Sequence, residues 1–182
     1  QNYKTVDGNL YTIDGKTLIE YACGKTETSF VIPEGVKEIG ANIFSESAVK
    51  EVVFPQSCTS INTAFAWTKV EKVNIPKNLT YLAGTAFAQS RFESVNLPAT
   101  LDTLETYTFL QAGLASATIN GSDVKSDAFN NCHSLKTLNL YGDTVIRAGA
   151  INNCISLNKI IAGPEVVIEE GAFVEGHQMS NG

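Results

Sequence analysis

Apolar positions along this chain fall into files. An apolar residue opens a unit at Val49, Val70, Phe92, Leu114, Leu135 and Leu157, at intervals of 21 or 22 residues. A second file holds Phe44, Phe65, Phe87, Phe109, Phe129, Ile151 and Phe173, and so takes six of the nine phenylalanines. Ahead of it by four or five residues runs a third, Ile39, Ile61, Leu82, Leu104, Val124, Ile146 and Ile168. Prolines form a fourth, at Pro33, Pro55, Pro76 and Pro98. Self-similarity at a fixed period of this length marks a solenoid. A unit this short cannot bury its own apolar face, and stacking on its neighbours buries it. The files therefore become internal ladders, and the phenylalanine file is core.

Each unit also carries one strand-like triplet, as in Val52-Val53-Phe54, Val73-Asn74-Ile75, Val95-Asn96-Leu97, Ala117-Thr118-Ile119 and Leu138-Asn139-Leu140. Period-two alternation turns the first and third residues inward and the middle one outward. Seven such strands in parallel, about 4.8 Å apart, predict one sheet about 30 Å long. The prolines stop each strand, because proline has no N–H for the ladder. From Ile119 onward this strand-end proline is gone, which predicts different connections in the last three units.

Residues 1–29 do not repeat. Asp7-Gly8 and Asp14-Gly15 are turn signals between alternating segments, and they predict strands within Leu10 to Tyr21 that form an N-terminal cap. Residues 30–182 then make seven repeats in one continuous domain.

The units "VEKVNIPKNLTYLAGTAF" and "FNNCHSLKTLNL", with the lead-in "DGNLYTIDGKTLIEYACGKTETSFVIPEGVKEIGANIF", resemble the BspA-like, or Treponema-type, leucine-rich repeats. The resemblance covers nearly all of the chain. It implies an α/β leucine-rich repeat solenoid, horseshoe-like, with a parallel β-sheet on the concave face and an N-terminal β-hairpin cap. It also implies a surface or secreted protein of a host-associated bacterium or a protist, of a kind often described as an adhesin. No catalytic residues come with the family. Only two units keep the family's cysteine, and the fifth unit is short.

Composition narrows the function. A net charge of −6 with no basic run argues against nucleic acid, whose phosphates call for clustered Lys and Arg. No apolar run approaches the roughly 20 residues of a membrane span. The first residue is Gln1 rather than Met, which fits either a mature end after signal removal or the edge of an excised segment. An extracellular or cell-surface location is expected.

Candidate chemistry is sparse. Cys132 and Cys154 lie one period apart, in a file otherwise filled by Ser47, Thr68, Ser90, Ala112 and Gly176. That file reads as a site for small residues rather than a disulfide or half a metal site. Cys23 and Cys58 lack a CxxC spacing. His133 and His177 are two periods apart, about 10 Å, too far for one shared zinc. "GKT" at Gly15 and Gly24 lacks the earlier glycine of a phosphate loop. No cofactor, metal or catalytic residue is expected, and no titratable cluster points to an enzyme.

Two surfaces remain. Outward strand positions form one file of Val53, Asn74, Asn96, Thr118, Asn139 and Ile161, beside another of Glu51, Lys72, Ser94, Ser116, Thr137 and Lys159. This polar, nearly neutral face suits hydrogen bonding to a protein or a glycan. Trp67 falls in a file otherwise made of Glu46, Gln89, Gln111, Asn131, Asn153 and Glu175, so it is expected to point outward as a hot-spot residue. The leading expectation is a non-catalytic recognition module that binds a protein through the concave sheet. A structural spacer and a glycan-binding module are the alternatives.

Overall fold

The computed structural model describes residues 2–175. The chain winds as a solenoid of seven coils, each with up to three short strands on three faces. The cap comes first: β1 (Tyr3–Val6), β2 (Asn9–Thr12) and β3 (Thr17–Glu20) form an antiparallel meander. Asp7 and Gly8 close its first turn with left-handed backbones, at φ 48° and 79°.

The first face carries β4 (Ser29–Val31), β6 (Glu51–Val53), β8 (Lys72–Asn74), β10 (Ser94–Asn96), β12 (Ser116–Asn120), β15 (Thr137–Tyr141) and β18 (Lys159–Ala162). The second face carries β5 (Glu38–Ile39), β7 (Ser60–Ile61), β9 (Tyr81–Leu82), β11 (Thr103–Leu104), β13 (Asp123–Val124), β16 (Val145–Ile146) and β19 (Val167–Ile168). A third face has strands only in the last three coils: β14 (Phe129–Asn130), β17 (Ile151–Asn152) and β20 (Phe173–Val174). Every strand pairing between coils is parallel, and β3 joins the cap to the second face by pairing in parallel with β5. Among the described residues no segment is helical, so the α component expected of the class gives way to turns.

The loss of proline after the fourth coil, expected to change the connections, changes the strands themselves. Asn120 and Tyr141 replace it, supply an N–H, and let β12 and β15 run to five residues. The earlier first-face strands stop at three.

The sheet expected as one piece is instead two. β4, β6 and β8 form one sheet, and β10, β12, β15 and β18 another. The second face divides at the same step, between β9 and β11. Phe92 stands at this step, aromatic in a file otherwise valine or leucine. Its ring lies 5.1 Å from Phe87 and 6.1 Å from Phe65.

The core is the set of predicted ladders. Phe44, Phe65, Phe87, Phe109 and Phe129 are all fully buried. Successive ring centroids lie 5.2, 5.5, 5.5 and 5.0 Å apart. Tyr21 extends the stack into the cap, 5.7 Å from Phe44. At the last coil Ile160, Ile168 and Phe173, whose equivalents in earlier coils are buried or partly buried, are exposed.

Candidate functional site

The two outward files of the first face are in register, because parallel pairing of equivalent strands puts equivalent residues side by side. Asn96 pairs with Thr118, Thr118 with Asn139 and Asn139 with Ile161. Ser94, Ser116, Thr137 and Lys159 run beside them in the same way. In the first sheet Glu51 pairs with Lys72 and Val53 with Asn74. The division between β8 and β10 cuts both files in two.

Few of these side chains are committed to the fold. Lys72 reaches Glu51 at 2.8 Å in an exposed ion pair. Asn139 donates to the Thr118 hydroxyl at 3.3 Å. Asn74 is different: its amide chelates the Phe54 backbone, accepting from the N–H at 2.7 Å and donating to the carbonyl at 3.2 Å. It continues the ladder where the strand has ended.

Asn120 and Tyr141 belong to the same face and were not among the residues expected there. Asn120 donates to the Leu97 carbonyl at 2.7 Å and to Asn96 Oδ1 at 3.1 Å, and Tyr141 is exposed beside it. The signal for both was the missing proline, which lengthens the strand by one outward position.

Trp67 is exposed over 62% of its surface, as expected, but lies on the third face beside Phe65 and apart from the first-face files. Its φ is 57°, and Glu46, Gln89, Gln111, Asn131 and Asn153 share that left-handed backbone. The turn imposes the conformation, and the side chain that leaves it must face solvent. This is why the file is polar apart from Trp67.

The cysteine file behaves as a site for small residues. Cys132 is buried, and its thiol donates to the Phe109 carbonyl at 2.9 Å; Cys154 donates to the Phe129 carbonyl at 3.2 Å. All four cysteines are free thiols. Contact with the Cys154 thiol, and then burial, push Cys132 well above the ordinary thiol range. Burial pushes Cys58 up to about 11. A protonated, buried thiol is a poor nucleophile. His133 is exposed, with Nε2 3.2 Å from the Asn153 amide nitrogen, whereas His177 and Gly176 lie outside the described residues. Among the described residues there is no group of three or more potential metal ligands. Among them no helix long and apolar enough to cross a membrane occurs.

The strongest charge cluster lies on the second face. Arg147 donates to Asp123 through Nε at 2.7 Å and through an Nη at 3.0 Å, and to Glu169 at 2.7 Å; Lys125 adds a contact to Asp123 at 2.7 Å. The Arg147 guanidinium, helped by Lys125, pulls the Asp123 carboxyl down to about 2, and Arg147 also lowers Glu169. These groups tie three successive coils together, which is a structural role. A carboxyl whose pKa is lower in the folded state stabilises above its unfolded value, about 3.9 for Asp. That stabilisation is lost as pH falls toward 2. Arg147→Gln is therefore expected to lower the melting temperature slightly at pH 7, with the gap to wild type narrowing between about pH 4 and pH 2. Thermal melts across that range check it.

Of the cavities that border the first face, two lie away from the cap. One, of about 570 Å³, lies at the last coil between Leu157, Ile160 and Phe173. The other, of about 420 Å³, lies between β8 and β10.

The family model for the BspA type leucine rich repeat region matches six copies, over residues 16–122 and 62–180. The chain belongs to the BspA-type leucine-rich repeat family. A solved leucine-rich repeat protein from Eubacterium ventriosum superposes with a TM-score of 0.84 at 24% identity, over 100% of this chain and 53% of the other. A leucine rich cell surface protein from Faecalibacterium prausnitzii gives 0.57 at 23%, over 90% of this chain and 40% of the other. The leucine-rich repeat protein of T. pallidum gives 0.61 at 16%, over 86% and 88%. At these identities the likeness shows the fold. This BspA-type chain spans about half the length of the E. ventriosum protein. No curated protein matches it.

Proposed function

We propose that this chain is a non-catalytic recognition module of a cell-surface or secreted protein, and that it binds a protein partner through the outward positions of the first face. The observation that carries this reading is the pair of registered files. Asn96, Thr118 and Asn139, beside Ser94, Ser116 and Thr137, present amides and hydroxyls at a fixed strand spacing on a rigid sheet. A surface of this kind is already ordered before binding, so little conformational entropy is lost on association. Membership of the BspA-type family supports the reading, as does likeness to a leucine rich cell surface protein and to the pneumococcal vaccine antigen PcpA.

The test is the double substitution Asn96→Arg with Asn139→Arg. Two bulky cations on this face are expected to weaken attachment of the purified chain to cells or extracellular matrix about tenfold or more, through steric exclusion and unpaired charge. Circular dichroism confirms that the variant is folded. Unchanged attachment by the folded variant removes the first face from consideration and favours a spacer role. Trp67→Ala reports separately on the third face.

A further inference from the structure

The first-face strands meet at six coil-to-coil steps, and five are closed by backbone pairing. At a closed step the residue before the strand and the first strand residue both donate to one carbonyl of the coil before. Glu71 and Lys72 donate to the Lys50 carbonyl at 2.7 and 3.1 Å, and Lys136 and Thr137 to that of Ala115 at 2.9 and 3.2 Å. Between β8 and β10 this pattern is missing. Among the described residues no backbone hydrogen bond joins 71–75 to 93–97. The Cα atoms of the two strands stay more than 8 Å apart, where paired strands sit about 4.8 Å apart.

The step is held from behind. On the third face Phe87 donates to the Thr108 carbonyl at 3.0 Å and Gln89 to that of Leu110 at 2.7 Å. The Thr100 hydroxyl lies 3.0 Å from the Lys77 carbonyl and 2.6 Å from that of Leu79. The result is a slot open toward the first face, about 420 Å³ in volume. Val73 and Ile75 are only partly buried at its floor, where their equivalents Val52 and Phe54 are buried. The amides of Asn74 and Asn120 bond within their own sheets and do not bridge it.

We infer that this slot takes one extended strand of a partner polypeptide, inserted between β8 and β10. The inference rests on the first face being the recognition surface. Three features select a peptide as occupant. One inserted strand requires a separation of about 9.6 Å, twice the normal spacing. Both walls are strand edges, whose unpaired N–H and C=O groups match a peptide backbone at every second residue, a periodicity that a glycan lacks. The apolar floor takes every second side chain of the inserted strand, while the others face solvent among Ser94 and Asn96. Insertion would join the two sheets into one.

The experiment uses the full chain and a fluorescein-labelled panel of peptides of about ten residues that alternate Val or Thr with polar residues, with a proline-interrupted panel as control. Anisotropy measures binding, and amide hydrogen exchange locates it. Free protein is expected to exchange rapidly at the slot-facing amides of Val73, Ile75, Ser94 and Asn96. Bound alternating peptides should slow that exchange about tenfold or more, and Ile75→Asp should weaken binding about tenfold or more. Slow exchange at these amides in the free protein overturns the inference, because the slot is then closed. So does equal binding of proline-interrupted peptides, or binding without protection of these amides. If no peptide binds, the slot inference falls. In that case a loss of attachment in the Asn96→Arg, Asn139→Arg variant leaves the first-face reading standing. If Ile75→Asp does not fold, exchange on the wild-type protein still decides.

Discussion

Phe87→Ala is expected to destabilise the chain by about 3–5 kcal/mol and to lower the melting temperature on the order of 10 °C. The ring is fully buried between Phe65 and Phe109, 5.5 Å from each, with Phe92 edge-on at 5.1 Å. Truncation removes the apolar area and leaves a cavity lined by aromatic rings, which cannot collapse into it without losing their own contacts. Position adds a second effect. Stability in a solenoid is roughly a sum of coil terms and nearest-neighbour interfaces. The step from Phe87 to Phe109 is the one at which both the first-face and second-face sheets divide. Packing therefore carries more of that interface than of any fully paired one. Phe87→Ala should uncouple the cap and first three coils from the last four, and turn a single unfolding transition into two. Phe65→Ala, at a step with paired sheets, should cost a similar amount and keep one transition. Calorimetry of both variants checks the contrast, and a single transition in Phe87→Ala would contradict the weak-step account.

The second large effect is expected at the other end of the stack. Tyr21→Ala should cost about 3–4 kcal/mol. Tyr21 is 1% exposed and packs against Phe30 at 4.9 Å and Phe44 at 5.7 Å, so it seals the ladder where no coil precedes it. Lys25 lies over the ring, 5.5 Å from its centroid. Removing the ring exposes Phe44 to water and loosens the meander that covers the edge of β5. Tyr21→Phe keeps the ring and should stay within about 1 kcal/mol of wild type. Urea unfolding of the two variants separates the packing contribution from the hydroxyl. Equal losses in both would place the stabilisation in the hydroxyl and refute the seal. Because an uncapped end also invites edge pairing, Tyr21→Ala is further expected to associate at concentrations where the wild type is monomeric, which light scattering reads.

The files of apolar residues determined most of this architecture by themselves. A period of 21 or 22 residues leaves stacking as the one way to bury Phe65 or Phe87, and the structure stacks them. Strand direction and facing followed from the same period together with alternation, so Asn96, Thr118 and Asn139 were placed side by side correctly. The proline file marked where strands stop, and its end marked where they lengthen. The reach of Asn120 and Tyr141 into the first face was legible in principle from that same signal. Trp67 was legible as exposed. The reason it must be exposed lies in its backbone, since φ at that turn is positive at every equivalent position from Glu46 to Asn153.

What only the tertiary structure decided is the break. Every coil around β8 and β10 carries the same pattern of apolar and polar positions, so the pattern does not distinguish the open step from the closed ones. Whether neighbouring coils come within hydrogen-bonding distance depends on side-chain volumes summed across the interior, including Phe92 against Phe65 and Phe87. The alignment of Asp123, Arg147 and Glu169 into one charged cluster depends likewise on how coils superpose. A periodic sequence states which residues face inward on each coil. The spacing between coils is set by packing among residues a full period or more apart, and pattern along the chain does not carry it.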